Sequence, residues 1–246
     1  MSAGPSDPHL QLTDPESPAP RHHLIAPLWH LVILILFFAI FSIAGFKGAG
    51  KAKYPSQVIH YLVLICVEWA FFAYVWFGLW RGRTPLREVV GGQWRTARDV
   101  FRDIGIALGF WIGAALILGI IQFLLRTKPA TLAGFAPRGV LEIFLWGAVA
   151  ASAGICEESV FRGYLQKQFQ ALTRSTPMAI VLQGIVFGFA HGYQGWKFVV
   201  TITFYGLMFG ILAEWRKTVR PGMIAHGWQD FFSGIVLKYI GKLPQH

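Results

Sequence analysis

Residues 140–162 read VLEIFLWGAVAASAGICEESVFR, an apolar run that ends in two adjacent glutamates and, four residues after the second, an arginine. Before Glu157 the stretch holds one charged side chain, that of Glu142. A helix needs about 20 mainly apolar residues to cross a hydrocarbon core about 30 Å thick. The stretch is therefore typical of a membrane-spanning helix that carries its charge at one end.

The rest of the chain repeats this pattern of apolar runs separated by short charged loops. Of its 246 residues, 54% are hydrophobic and 14% are charged, whereas a soluble domain has about 25% charged residues. We predict an all-α, polytopic transmembrane helical bundle with seven spans, eight being the nearest alternative, and with the active site in a polar cavity between helices. We expect the fourth span to continue past Cys156 as a helix, and Gly154 is where its backbone could break. The predicted spans are residues 28–46, 58–80, 104–125, 140–156, 178–191, 198–213 and 223–239.

The chain has a formal net charge of +10, and its Lys and Arg residues lie in the loops between the apolar runs. This distribution indicates membrane topology and not a nucleic-acid partner. The loops after the second, fourth and sixth spans hold more of these cations than the opposite loops, which predicts a cytoplasmic N-terminus. The expected location is an integral, multi-pass membrane protein, in the plasma membrane if the source is prokaryotic.

The closely spaced prolines of residues 1–25 predict a disordered N-terminal tail. Residues 26–246 are expected to form one transmembrane domain, with the chemistry in about residues 142–232. Pairs of glycines four residues apart predict close approach of helix backbones. These pairs are Gly109 and Gly113, Gly184 and Gly188, and Gly206 and Gly210.

Two adjacent carboxylates follow Cys156. On a helix, Glu158 and Arg162 are four residues apart and can pair on one face, while Glu157 is turned about 100° away. Glu157 is then free to act as a general base toward water. The alternative is that both glutamates cap the span at the membrane interface beside Arg162.

Two later spans also carry ionisable side chains. His191 follows Phe187 by one helical turn, so we expect the Phe187 ring to pack beside the imidazole. His226 and Asp230 are likewise one turn apart. Ionisable groups at membrane depth are costly, so we expect these residues and Glu157 to converge in one polar cavity. A histidine at the interface could instead have no special role. Glu68 and Glu142, also in apolar runs, have no partner that the sequence identifies.

At these residues the chain resembles the CAAX protease and bacteriocin-processing (CPBP, Abi) family of intramembrane peptidases. The family pattern is a double glutamate with arginine four after the second, then Phe-x-x-x-His, then His-x-x-x-Asn. The matching residues are Glu157, Glu158, Arg162, Phe187, His191 and His226. Asp230 stands where Asn is usual, and an ionised aspartate can only accept hydrogen bonds, so a simple oxyanion-binding role is in doubt.

The resemblance implies a CAAX prenyl protease-like intramembrane endopeptidase that hydrolyses a peptide bond near the membrane surface. Its partners would be a peptide or protein substrate and the lipid bilayer. The implied catalytic residues are Glu157, Glu158, Arg162, His191, His226 and Asp230. In one mechanism Glu157, assisted by His191, activates water. In the other the protein is a metalloprotease, in which Zn²⁺ is held by Glu157, His191, His226 and Asp230.

Two other classes of function remain open at the level of sequence. The buried acids and histidines could form the proton relay of a proton-coupled transporter or channel. The protein could also be a non-catalytic membrane immunity or scaffold protein that keeps the polar cluster for packing. Substitution of Glu157 separates the three classes. It should abolish turnover in an enzyme, alter pH-dependent flux in a transporter, and leave partner binding intact in a scaffold protein.

Overall fold

The computed structural model describes residues 23–48, 56–127 and 134–240, and these residues form a bundle of α-helices. The helices are α1 (Leu28–Gly48), α2 (Gln57–Arg81), α3 (Leu86–Val90), α4 (Ala97–Leu124), α5 (Val140–Glu157), α6 (Gln166–Thr173), α7 (Thr176–Ala190), α8 (Trp196–Arg216) and α9 (Arg220–Ile240). A π-helical segment, Glu158–Leu165, joins α5 to α6, and a 3₁₀ turn, Gly192–Gln194, follows α7. Residues 1–22 of the predicted tail lie outside the described residues.

Each predicted span coincides with a helix, and the predicted helical membrane bundle is confirmed. Within the described residues, five helices are long and apolar enough to cross a membrane, namely α1, α2, α4, α8 and the continuous run of α5 through α6. Helix α7 has 15 residues, which gives a length of about 22 Å and so falls short of a hydrocarbon core about 30 Å thick. Helix α9 has 21 residues but carries His226 and Asp230 in its interior. Helices α7 and α9 bring polar side chains into the bundle, since Gln183 of α7 and His226 of α9 are buried.

The fourth span does continue past Cys156 as predicted, without a break at Gly154. Instead, the α-helix passes into the π-helical turns of Glu158–Leu165. A π-helical turn holds an extra residue and occurs frequently at functional sites. Gly154 serves packing, since a Cβ there would lie 2.5 Å from the carbonyl oxygen of Met223 on α9. The close contact of α5 with α9 therefore depends on this glycine.

The glycine pairs of α7 and α8 bring these two helices together, as predicted. A Cβ at Gly206 would lie 2.9 Å from the Cα of Gly184, and one at Gly188 would lie 2.7 Å from the carbonyl oxygen of Val199. The prediction for α4 was wrong, because a Cβ at Gly109 or Gly113 would meet no atom within 4 Å.

A buried polar network fixes the π-helical segment against α1 and α2. His30 of α1 contacts the Tyr164 hydroxyl through Nδ1 at 2.7 Å and the Tyr74 carbonyl oxygen through Nε2 at 2.8 Å. The Gln168 side chain accepts a hydrogen bond from the backbone N–H of Ile25 at 3.0 Å. These bonds satisfy groups that would be costly to bury alone, and they hold the segment that carries Glu158 and Arg162.

Candidate active site

Glu158 and Arg162 form a buried ion pair on the π-helical segment. Nη1 of Arg162 lies 2.9 Å from Oε1 of Glu158, and both side chains are fully buried. The guanidinium carbon also lies 4.1 Å from the ring centroid of Phe187 and 4.8 Å from that of Phe209. The predicted pairing is confirmed, and the pair lies inside the bundle instead of capping the span at an interface.

The same carboxylate orients His226. Nδ1 of His226 lies 3.0 Å from Oε1 of Glu158. Since Glu158 is paired with Arg162 and its ionised carboxylate can only accept, Nδ1 is the donor in this bond. Nε2 is then turned toward Glu157 and Asp230, at 3.6 Å from Oε2 of the first and 3.6 Å from Oδ2 of the second.

His191 faces Glu157 from the C-terminal end of α7. Its Nδ1 donates to the carbonyl oxygen of Phe187 at 2.9 Å, and its ring packs edge-on against the Phe187 ring with centroids 4.8 Å apart. This bond leaves Nε2 facing Oε1 of Glu157 at 3.9 Å. The expected packing of Phe187 on His191 is confirmed. A separation of 3.9 Å is too long for a direct hydrogen bond, and a water molecule can bridge such a gap.

The cluster is buried on one side and open on the other. The side-chain exposures are 0% for Glu158 and Arg162, 4% for His226, 12% for Glu157, 15% for His191 and 34% for Asp230. The ion pair is therefore the base of the site, and Asp230 lies at its mouth. The structure brings all six residues singled out in the sequence into one polar cluster between α5, the π-helical segment, α7 and α9.

Glu68 of α2 also belongs to this cluster, although the sequence alone identified no partner for it. Its carboxyl group lies close to that of Glu157. The signal in the sequence was an ionisable side chain inside an apolar run. Glu142, the other unassigned acid, has a different role, because its Oε2 accepts from the backbone N–H of Arg138 at 2.7 Å before the start of α5.

Two tyrosines also line the cluster and gave no signal in the sequence. The buried hydroxyl of Tyr205 has no hydrogen-bond partner among the described residues, and its ring centroid lies 6.0 Å from that of His226. The ring of Tyr193, in the 3₁₀ turn, lies 6.0 Å from that of His191. Burial raises the pKa of Tyr193, so its hydroxyl remains a hydrogen-bond donor.

The predicted zinc ligands are Glu157, His191, His226 and Asp230. Within the described residues, no group of three or more His, Cys, Asp or Glu side chains is placed so that it could hold a metal ion. Zinc binding by these four residues stays a prediction.

Comparison with known proteins agrees with this geometry. Residues 138–232 match a family model named Rce1-like, whose description is type II CAAX prenyl endopeptidase. The matched segment contains all six of the site residues recognised in the sequence, and it confirms the resemblance to the CAAX protease family. No curated protein and no solved structure matches the chain.

Proposed function

We propose that this integral membrane protein, whose residues 138–232 match the type II CAAX prenyl endopeptidases, hydrolyses a peptide bond with a water activated by Glu157. The observation that carries the proposal is the position of Glu157 between two oriented imidazoles. Its Oε1 lies 3.9 Å from Nε2 of His191, and its Oε2 lies 3.6 Å from Nε2 of His226. Both Nδ1 atoms are already bonded elsewhere, so both Nε2 atoms face the reaction space.

The first step is attack of water on the substrate carbonyl carbon. The water lies between Glu157 and His191, where the Nε2 lone pair of neutral His191 accepts one of its hydrogens. The Glu157 carboxylate removes the other proton as the water oxygen bonds to the carbonyl carbon. General-base assistance of this kind contributes about 10²- to 10⁴-fold to a rate.

The second step is collapse of the tetrahedral intermediate. His226 in its imidazolium form donates Nε2–H to the oxyanion, while Glu158 holds Nδ1 and fixes the ring. Glu157 passes the proton it took from water to the amide nitrogen. The carbon–nitrogen bond then breaks, and a carboxylic acid and an amine leave. Asp230 orients His226 from the mouth of the site.

The substrate is a peptide or protein segment presented at the membrane. The description of the matched family names a prenyl endopeptidase acting on CAAX sequences. We extend that class to this chain as the first substrate to try, and the same peptide without its prenyl group is the matched comparison.

The orientation of the protein follows from its cationic loops. The N-terminal end of α1 lies on the same side of the bundle as the connections α2–α4, α6–α7 and α8–α9. Ile25 bonds to Gln168 of α6, Lys167 of α6 bonds to Glu88, and Val219 bonds to Val90. These connections hold the cations Arg83, Arg95, Arg174 and Lys217. By the positive-inside rule we propose that this side is cytoplasmic.

The test uses the full chain reconstituted in liposomes with quenched fluorescent peptides, prenylated and unprenylated. The wild type should cleave one of them, and Glu157→Gln should abolish cleavage without altering the folded protein. The matched control is Glu142→Gln, which changes a membrane-helix glutamate outside the cluster. Failure of the wild type to cleave, together with proton flux that depends on Glu157, would replace the peptidase by a transporter.

The need for a metal is tested separately. Elemental mass spectrometry on protein purified without chelators would compare the wild type with His226→Ala. Cleavage by wild type without stoichiometric zinc supports the water mechanism. Zinc that is present in the wild type and lost in the variant would make the protein a metalloprotease.

A further inference from the structure

An apolar groove runs along the contact between α5 and α9. Its volume is about 750 Å³, which lies within the range of about 300–1,000 Å³ that is usual for small-molecule sites. Its walls include Ala151 and Ile155 of α5 and Met223, Ile224, Gly227 and Phe231 of α9. Ala151 and Ile155 are exposed, so the groove opens to the outside of the bundle, where lipid surrounds the protein.

The backbone contact of α5 with α9 separates this groove from the catalytic cluster. A Cβ at Gly154 would lie 2.5 Å from the carbonyl oxygen of Met223 and 3.0 Å from the backbone nitrogen of Gly227. The residue before Gly227, His226, is turned about 100° away on the helix and contacts Glu158. Among the described residues, the lining of the groove includes none of the six site residues. A ligand in the groove is therefore not placed for hydrolysis at the cluster.

The length of the groove matches one leaflet of a bilayer. Along α9 it extends from Arg220 to Phe231, a rise of about 16 Å at about 1.5 Å per residue. Half of a hydrocarbon core about 30 Å thick is about 15 Å. Arg220 lies at the α8–α9 connection, on the side proposed to be cytoplasmic. The acyl chain of one lipid in that leaflet therefore fits the groove from end to end.

Arg220 is held in place at the headgroup end of the groove. Its Nη2 donates to the carbonyl oxygen of Gly92, and its guanidinium carbon lies 5.1 Å from the ring centroid of Trp94. Nε1 of Trp94 in turn donates to Oδ2 of Asp103 at 2.8 Å. Tryptophan is frequent at the headgroup level of membranes, so both side chains suit that depth.

The guanidinium of Arg220 faces no acid that would neutralise it. Asp103, the acid bonded to Trp94, is already paired with Arg216 at 3.1 Å and lies 3.7 Å from Arg102. Among the described residues, no carboxylate oxygen lies within 4.0 Å of Arg220. Arg95, the residue after Trp94, adds a second exposed cation. Since a guanidinium binds a phosphate through two parallel hydrogen bonds, this end of the groove suits a phosphate group.

We propose that the groove between α5 and α9 binds one anionic phospholipid, with an acyl chain along α9 and its phosphate at Arg220. A zwitterionic headgroup would bring an ammonium group to the cations Arg220 and Arg95, whereas an anionic headgroup brings none. In the proposed orientation the site faces the cytoplasmic leaflet, where anionic lipids give the surface a negative potential. The lipid site goes beyond the peptidase function and does not depend on it.

Native mass spectrometry of the full chain in detergent tests the headgroup preference. Phosphatidylglycerol and phosphatidylcholine with the same acyl chains are the two probes. The wild type should bind one phosphatidylglycerol more tightly than phosphatidylcholine. Arg220→Gln should weaken phosphatidylglycerol binding about 10- to 100-fold, as expected for loss of a hydrogen bond to a charged group. Arg174→Gln is the matched control, because Arg174 is an exposed cation on the same side of the bundle and does not line the groove.

A second variant tests where the acyl chain lies. Ala151→Phe places a ring in the groove and should weaken binding of both lipids. Ala115→Phe makes the same change at an exposed position of α4 that lies outside the groove, and it should bind as the wild type does. Phosphatidylglycerol with a photoreactive acyl chain should label α5 and α9 in the wild type and lose that label in Ala151→Phe.

Three results would overturn the proposal. One is equal affinity of Arg220→Gln and Arg174→Gln for phosphatidylglycerol, and another is labelling of the wild type only outside α5 and α9. The third is displacement of the lipid by an uncleavable prenylated peptide but not by its unprenylated form, which would assign the groove to the substrate. All of these are binding measurements, so a wild type that binds the lipid but cleaves no peptide would refute the peptidase alone.

Discussion

Removal of the Arg162 side chain should destabilise the protein more than any substitution at the mouth of the site. Arg162→Ala leaves the Glu158 carboxylate buried without its cation, and breaking one partner of a buried ion pair costs about 3–5 kcal/mol. The guanidinium also contacts the rings of Phe187 and Phe209, and each such contact contributes about 0.5–2 kcal/mol. The loss is large against a typical total stability of about 5–15 kcal/mol.

The assay is unfolding of detergent-solubilised protein, followed by circular dichroism at increasing denaturant. Arg98→Ala is the matched control, because Arg98 is an exposed cation at the start of α4. The double variant Glu158→Leu with Arg162→Met removes both charges of the pair, so that neither is left buried without the other. It should therefore be more stable than either single charge-removing variant.

A result within about 1 kcal/mol of the wild type for Arg162→Ala would refute this reasoning, since it is far below the cost of an unpaired buried charge. Strictly additive losses in the double variant would refute it as well. Either result would mean that solvent reaches the Glu158–Arg162 pair in the folded protein and that the pair contributes little to stability.

Four further substitutions test the site and the packing that builds it. Glu157→Gln should lower kcat by at least about 100-fold, because the general base is lost, while its unfolding curve stays that of the wild type. Asp230→Asn should keep or raise kcat, since an amide can donate to the oxyanion. A fall in kcat together with loss of bound zinc, measured by elemental mass spectrometry, would instead make Asp230 a metal ligand. Gly154→Ala should lower both stability and cleavage, because its Cβ would lie 2.5 Å from a backbone oxygen of α9 and would displace His226. Gly109→Ala, which meets no atom within 4 Å, should be neutral or stabilising by up to about 1 kcal/mol in the same measurements.

The spacing of residues along single helices was sufficient to predict several local contacts. The pairing of Glu158 with Arg162 and the packing of Phe187 on His191 follow from the four-residue repeat of a helix. The same repeat placed His226 and Asp230 on one face, where Nε2 and Oδ2 lie 3.6 Å apart. Such contacts depend on one helix and its geometry, which the sequence carries directly.

Contacts between helices were predicted less well. Glycine spacing predicted the approach of α7 to α8 but was wrong for Gly109 and Gly113, because the spacing does not tell which face of α4 meets a neighbour. The prediction of seven spans used the apolar length of each run, which does not tell how deep a helix lies in the bundle. Helix α7, with 15 residues, is too short to cross alone. The π-helical segment was missed because its sequence has no pattern that separates it from an α-helix.

By itself, the sequence determined that the chain is a helical membrane protein with a peptidase-like set of acids and histidines. The length of an apolar run and the cost of placing a charged side chain in lipid can be judged from one segment alone, without knowing which helices pack against it. Only the tertiary structure decided that the Glu158 carboxylate also contacts His226, and that Glu68 from a distant helix lies close to Glu157. These choices depend on how helices rotate and pack against one another, and that arrangement is set by the whole bundle and not by any one span.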